Sequence, residues 1–165
     1  MYNDIKHDFM KKLENKVALV TGSDSGIGRS IAIAFAKEGA KVIVCYHNDQ
    51  DGAKETLACM KKYKGEAGLI KLDVGDEKEV EKQLEAIVRD FGAIDILVNN
   101  SGVNGSGIPV DEMTTAVFDR TIRTNLYGTF FCSRKFIQHR KAKKLPRQNY
   151  QYFFGTRGDQ CPRQC

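Results

Sequence analysis

Four short stretches hold the residues whose types and spacing could do chemistry. The first is Thr21-Gly22-Ser23-Asp24-Ser25-Gly26-Ile27-Gly28. Its glycines let the backbone turn sharply and lie close to a ligand. An apolar run, Val17 to Val20, precedes it, and a helix-forming run, Arg29 to Ala36, follows. A glycine loop between strand and helix presents unpaired N–H groups and the positive end of the helix dipole, which suit a phosphate. This placement points to a dinucleotide pyrophosphate site; the same glycines would also serve a plain tight turn. The second stretch is Leu72-Asp73-Val74. The Asp73 carboxylate can accept a bond from an exocyclic amine or cap the next helix, and Asp76 is better placed for the cap. The third is Asn99-Asn100-Ser101-Gly102, where Gly102 and the small Ser101 let the backbone pass close to a ribose. The fourth is Asn125-Leu126-Tyr127-Gly128, where Asn125 interrupts a helical run and by itself reads as a kink.

The elements that must position these residues follow from the hydrophobic period. Val17–Val20, Lys41–Cys45, Gly68–Leu72 and Ile94–Val98 read as strands. Between them, a helix follows the glycine loop. A second spans Asp51–Lys64 with Ala53, Leu57 and Met60 on one face, and a third spans Glu77–Phe91 with Val80, Leu84, Ile87 and Val88 inward. Asp111–Lys144 reads as helix with a break near Asn125 and Gly128. Strands alternating with helices give an α/β, doubly wound parallel sheet of strand order 3-2-1-4 with helices on both faces. The glycine loop, Asp73 and Asn99–Gly102 then share the carboxyl edge of the sheet, where such folds bind ligands. Residues 1–15 form a surface lead-in, 16–144 the nucleotide-binding unit and 145–165 a polar, basic tail.

Composition narrows the partners. Apolar residues make up 41% and charged residues 28% of the 165, ordinary for a globular domain. The net charge of +5 comes mostly from Arg134 to Arg163, which argues against a nucleic-acid partner. No run reaches the length of a membrane span. The five cysteines form no CxxC pair and fit free thiols in a reducing compartment, the cytoplasm. No metal-ligand spacing is present. His7 and His139 read as solvated surface residues.

With the four stretches in this order, the chain resembles the short-chain dehydrogenase/reductase family from about Asn15 to Lys144. Thr21-Gly22-x-x-x-Gly26-Ile27-Gly28 is that family's own glycine pattern. Asn99-Asn100-Ser101-Gly102 is similar to its Asn-Asn-Ala-Gly, with Ser101 in place of Ala. The wording is most similar to bacterial glucose 1-dehydrogenases and 3-oxoacyl-carrier-protein reductases. The resemblance implies hydride transfer between a nicotinamide dinucleotide and a small alcohol, sugar or ketone. It implies cofactor contacts from Gly22, Ser23, Ser25, Gly26, Ile27 and Gly28, from Asp73 and Val74 at the adenine, and from Asn99, Asn100, Ser101 and Gly102. It gives Asn125 a water in a proton relay. The second strand ends in Cys45-Tyr46-His47-Asn48 with no acid to bond a ribose 2′-OH, so Tyr46 and His47 favour NADP over NAD. His47 or Lys41 would help hold a 2′-phosphate, while Asp24 adds negative charge to the loop. Family oligomers use helices of the middle and end of the chain, of which only part remains here.

The family's chemistry also needs a Ser, and a Tyr with a Lys four residues later, to move the proton. Tyr-x-x-x-Lys occurs only at Tyr2 and Lys6, before the glycine loop, and no fifth strand follows Lys144. Three functional readings therefore stand: an oxidoreductase by descent, a non-catalytic dinucleotide-binding module, and a fragment without function. A truncated sheet would leave the fourth strand as an edge and uncover Phe130, Phe131 and Phe136, each forfeiting about 1.5–3 kcal/mol of burial. A marginally stable, aggregating product is the expectation. The tail suggests why. Read one base out of frame, Gln148 to Gly155 permit Lys-Ile-Ile-Asn-Ile-Ser-Ser, which resembles the family's fifth strand and its Ser. Sequencing the gene is expected to show a single-base change, or a read error, between the codons for Gln138 and Arg147. Restoring the frame should then reveal Tyr-x-x-x-Lys a short way on; a downstream frame with stop codons and no such pattern would count against it.

Overall fold

β1 is four residues long because it need only cross the middle of the sheet, and each of them is buried. Val17 and Leu19 face one side, Ala18 and Val20 the other. The computed structural model describes residues 11–63, 65–104 and 107–144. Its elements run β1 (Val17–Val20), α1 (Gly26–Lys37), β2 (Lys41–Tyr46), α2 (Gln50–Met60), β3 (Ala67–Lys71), α3 (Glu77–Phe91), β4 (Ile96–Val98) and α4 (Thr115–Ile122). A π-helical turn at Arg123–Tyr127 and α5 (Gly128–Ala142) follow. The sheet is parallel throughout, in the expected order β3-β2-β1-β4.

Each face of the sheet carries its own core. Val17, Leu19, Ile43 and Cys45 pack with Val80, Leu84 and Ile87 of α3 and with Phe131, Cys132 and Phe136 of α5. Ala18, Val20, Val42 and Val44 pack with Ala32 and Ala36 of α1 and Ala53 and Met60 of α2. Small alanines bring α1 and α2 close to the sheet; the larger side chains fill the opposite face. Leu13 of the lead-in rests on the α1/α2 side and donates its N–H to the Glu38 carbonyl, 3.0 Å away.

Boundaries move where local bonds decide them. The second helix ends at Met60, short of the expected Lys64, because Lys61 and Tyr63 turn back to the Ala58 and Met60 carbonyls. The third strand is Ala67–Lys71, with Leu72 buried just beyond it. The fourth begins at Ile96, two residues late. Asp95 and Arg140 explain the delay: Asp95 accepts the Val17 N–H at 3.0 Å, and the Arg140 guanidinium reaches the Ile94 carbonyl (3.2 Å) and Asp95 (3.3 Å). The last helix starts at Thr115 rather than Asp111, with the Thr114 hydroxyl accepting the Val117 N–H as cap. The expected break near Asn125 is a widened π turn, and the chain continues as α5 without leaving helical dihedrals.

Two expectations about exposure fail. Phe131 and Phe136 are buried, because α5 lies against α3 as well as the sheet; only Phe130 is exposed. Ion pairs Lys135–Glu85 (2.6 Å) and Arg134–Glu77 lace the two helices. His139 is half-buried rather than a fully solvated surface residue. It lines a cavity of about 300 Å³ between α3 and α5, and its Nε2 is buried without a partner among the described residues. Burial holds its imidazole below the usual range, Lys143 and Arg140 reinforce this, and Asp95 opposes it. β4 pairs with β1 alone among the described residues, so it is an edge as expected. No described helix is long and apolar enough to cross a membrane. The tail, Tyr2, Lys6 and His7 lie outside the described residues.

Phe136→Ala should cost about 3–5 kcal/mol in urea unfolding, a large part of a domain's ~5–15 kcal/mol, while Phe130→Ala should stay within about 0.5 kcal/mol. For His139 the lowered folded pKa means the unfolded chain takes the proton first. Its contribution is therefore full above about pH 6.5 and is lost as pH falls from there through the folded value. The Tm should fall between about pH 7.5 and pH 5.5, and fall less in His139→Phe; equal slopes would refute the assignment.

Candidate cofactor-binding site

The glycine loop is built onto the rest of the carboxyl edge by the Thr21 hydroxyl. It accepts the N–H groups of Asn100 and Ser101, each at 2.9 Å, and donates to the Val98 carbonyl at 3.3 Å. Asn100 returns the contact, its buried Nδ2 donating to the Thr21 (3.0 Å) and Gly22 (2.9 Å) carbonyls. The loop after β4 and the loop after β1 are therefore one unit. Two glycines are required by that closeness. Gly22 has φ +60°, and a Cβ on it would lie 3.0 Å from Ser101 Oγ. A Cβ on Gly28 would lie 2.3 Å from the Gly22 carbonyl oxygen.

Beyond these contacts the loop opens outward. Nothing lies within 4 Å of where a Gly26 Cβ would be, and Ile27 is 56% exposed. No side chain caps the N-terminus of α1 at Ser25. The first-turn N–H groups of a helix have no intrahelical partner, so this end has the form and the dipole of an anion site.

The other candidate residues fall into two groups. Asp73, Val74, Tyr46 and His47 stand at the ends of β2 and β3, at the same edge. Asp73 Oδ1 accepts the Gly75 N–H at 2.8 Å, and its Oδ2 lies 3.9 Å from His47 Nε2. Asp76, as expected, caps α3 by accepting from the Lys78 and Glu79 N–H groups. Ser101 and Gly102 are half-buried beside the glycine loop. The second group is turned inward. Ser23 is fully buried: its N–H goes to the Cys45 carbonyl, its hydroxyl donates to the Val20 carbonyl and accepts the Cys45 N–H, and its carbonyl accepts from Thr56. It holds the loop on β1 and β2, with its N–H, hydroxyl and carbonyl each engaged by the protein. Asn99 is buried and donates to Ser133 Oγ on α5 at 3.1 Å.

Asn125 is clamped to the loop after β4. Its Oδ1 accepts the Val103 N–H (2.9 Å) and its Nδ2 donates to the Val103 carbonyl (2.8 Å). The amide is thus committed on both sides. Lys41 also departs from expectation. It begins β2, at the amino edge opposite the site, and is paired with Glu66 at 2.8 Å, so it cannot hold a 2′-phosphate. Asp24 is 8% exposed, with its side chain drawn into the fold. Burial raises the Cys45 thiol far above its usual range, against a bond from the Gly22 backbone, and pushes Cys132 up to about 12. Both stay protonated and neither is a nucleophile.

Sequence reasoning missed Arg29 and Thr56. Arg29 Nε donates to Thr56 Oγ1 (3.0 Å), and Nη2 donates to the Asp24 (2.6 Å) and Gly52 (3.0 Å) carbonyls and pairs with Glu55 at 3.1 Å. An Arg just past a glycine loop and a Thr within α2 carry no periodic signal, because the bond between them depends on how α1 and α2 sit side by side. The cavity between α3 and α5 touches none of the carboxyl-edge residues and is not part of this site. No cluster of metal-ligating side chains occurs among the described residues.

Known proteins are similar to this chain in sequence and in fold. The family model described as short chain dehydrogenase matches residues 16–145. Glucose 1-dehydrogenase 2 of Bacillus subtilis is 40% identical over 129 residues, covering 78% of this chain and 50% of its own. General stress protein 39 of the same organism is 38% identical over 130 residues, covering 79% and 46%. Tetrahydroxynaphthalene reductase of Pyricularia oryzae is 41% identical, covering 77% and 44%. A short chain dehydrogenase from Burkholderia cenocepacia, solved in complex with NADP, superposes with a TM-score of 0.73 at 32% identity, covering 77% of this chain and 51% of that one. The chain spans about half the length of the curated relatives it matches. With the family model over most of its length and the strand order, glycine loop and Asn-Asn-Ser-Gly segment in place, the chain belongs to the short chain dehydrogenase family.

Proposed function

We propose that this chain carries the dinucleotide-binding half of an NAD(P)-dependent oxidoreductase acting on an alcohol, sugar or ketone. The single observation that carries the reading is the open, uncapped start of α1 behind Gly26, at the edge where β1 and β4 deliver their loops. In this reading the first turn of α1, with Gly26, Ile27 and Gly28, holds the pyrophosphate. Asp73 and Val74 face the adenine, and Ser101 and Gly102 let the ribose approach. A nicotinamide dinucleotide held by these residues would bring the group that gives or takes a hydride in a complete enzyme. Asn99, Asn100 and Ser23 act on the ligand only through the loops they fix. Asn125 holds Val103 with its side chain, so a relay water falls to its backbone carbonyl, which already accepts from Thr129 Oγ1 at 2.9 Å.

NADP is the favoured cofactor, on the absence of an acid in Cys45-Tyr46-His47-Asn48, the next acid, Asp49, being taken up as the cap of α2, and on His47 standing beside the adenosine edge. An NADP-bound relative is consistent with this. The 165-residue chain binds but does not turn over: it holds Asn125 but neither the Ser nor a Tyr-x-x-x-Lys beyond the glycine loop, and lost acid–base help alone costs about 10²- to 10⁴-fold.

Titration with NADP+ should give a Kd near millimolar, about −4 kcal/mol, and no dehydrogenase signal should appear with glucose, other polyols or β-ketoacyl substrates. Ile27→Glu is the decisive variant. A carboxylate in the first turn suits the helix dipole and leaves the fold intact, yet it repels a pyrophosphate and should weaken binding at least about tenfold. Gly22→Val is less informative, because its side chain meets Ser101 and disturbs the loop itself. His47→Asp should shift preference from NADP+ toward NAD+ by about tenfold. Unchanged affinity in Ile27→Glu would refute the site; robust turnover by the chain as it stands would refute the catalytic reading.

A further inference from the structure

Two successive carbonyls of the glycine loop, Ser23 and Asp24, point at α2 and are held there. The buried Thr56 hydroxyl directs its proton at the Ser23 carbonyl (2.9 Å), with the Gly52 carbonyl also near at 3.1 Å. Arg29 holds the Asp24 carbonyl at 2.6 Å, and its Nε donates back to the Thr56 hydroxyl. The guanidinium side chain is 20% exposed and lies behind the loop, on the α2 side, rather than in front of it. In a planar trans peptide the C=O and N–H point in opposite directions. Fixing the 23–24 and 24–25 carbonyls toward α2 therefore fixes the N–H ends of those same peptides, those of Asp24 and Ser25, away from α2.

We propose that Arg29, acting with Thr56, is a positioning residue for the pyrophosphate: it sets the orientation of the loop peptides and touches no ligand atom itself. The inference rests on the reading of this loop as a dinucleotide site. It explains why a residue of α1 reaches sideways to α2, collects two hydrogen bonds and an ion pair to Glu55 there, and gives a third hydrogen bond to the Asp24 carbonyl of the loop. A loop peptide free to flip would present a carbonyl oxygen to an anion; preorganised N–H groups avoid that reorganisation.

The test uses the full 165-residue chain, with NADP+, inorganic pyrophosphate and adenosine as separate probes. Arg29→Met should weaken NADP+ and pyrophosphate about tenfold and leave adenosine within about twofold. Thr56→Val keeps the Arg29 charge but removes the hydroxyl, and the same pattern there assigns the effect to loop geometry rather than charge. Arg29→Lys, which keeps one donor, should recover part of the loss. If Arg29→Met fails to fold by circular dichroism, Thr56→Val and Arg29→Lys decide. Equal weakening of pyrophosphate and adenosine, or no weakening of either, overturns the positioning role. Failure of the unmutated chain to bind NADP+ overturns instead the dinucleotide reading on which it rests.

Discussion

The Thr21 hydroxyl is the contact on which the carboxyl edge depends. One oxygen serves three backbone groups: it accepts the Asn100 and Ser101 N–H groups and donates to the Val98 carbonyl. All three partners are on β4 or just past it, nearly eighty residues along the chain. Without the hydroxyl, two backbone N–H groups at the buried end of β4 would have to find water or go unmade, at about 1–3 kcal/mol each. The Asn100 amide then returns the bond to the Thr21 and Gly22 carbonyls, so the two loops exchange donors and acceptors. The need for glycine at 22 and 28 follows from this clasp. Both face protein atoms rather than open space, whereas Gly26 faces outward.

The fold was legible because each part of it rests on short-range patterning. The strands of the central pair are continuous apolar runs, α3 has its apolar residues one helical face apart, and its cap Asp76 stands just before the helix. The order of alternating elements then leaves few topologies. Residue types also placed the loops at the correct edge. What the sequence did not disclose is which way individual side chains turn. Ser23 lies between two glycine-motif neighbours yet faces inward, since the hydroxyl is needed by Cys45 and Val20. Lys41 is five residues from Tyr46, and in an extended strand that small interval separates opposite edges of the sheet by about 17 Å.

The last helical region shows the same limit at longer range. Phe131 and Phe136 read as uncovered when α5 is thought to rest on strands beyond β4; they are covered because α5 also lies along α3. The ridge of acidic residues on α3 meets basic residues of α5 at Lys135–Glu85 and Arg134–Glu77. These exposed pairs add little stability by themselves; their consequence is register, since they align the two helices over the shared apolar seam. His139 sits at the end of that seam, where its Nε2 is buried without a partner among the described residues and its neutral form is favoured.

The π turn connects this helical layer to the candidate site. Asn125 pairs with both backbone groups of Val103, as an added strand residue would, and so carries the loop after β4. Two residues before it, Arg123 donates to the Gly75 carbonyl at 3.1 Å, and three residues after it, Gly128 lies against Val74. One widened turn therefore touches the loop that bears Asp73 and the loop that follows Ser101 and Gly102. A regular α-helix would carry successive side chains about 100° around its axis. The extra residue of a π turn changes that phase, and here Asn125 meets one loop while Arg123 and Gly128 meet the other. The spacing between these two loops is consequently set by the phase of one helical turn, and a sequence reading that sees only a break at Asn125 cannot locate it.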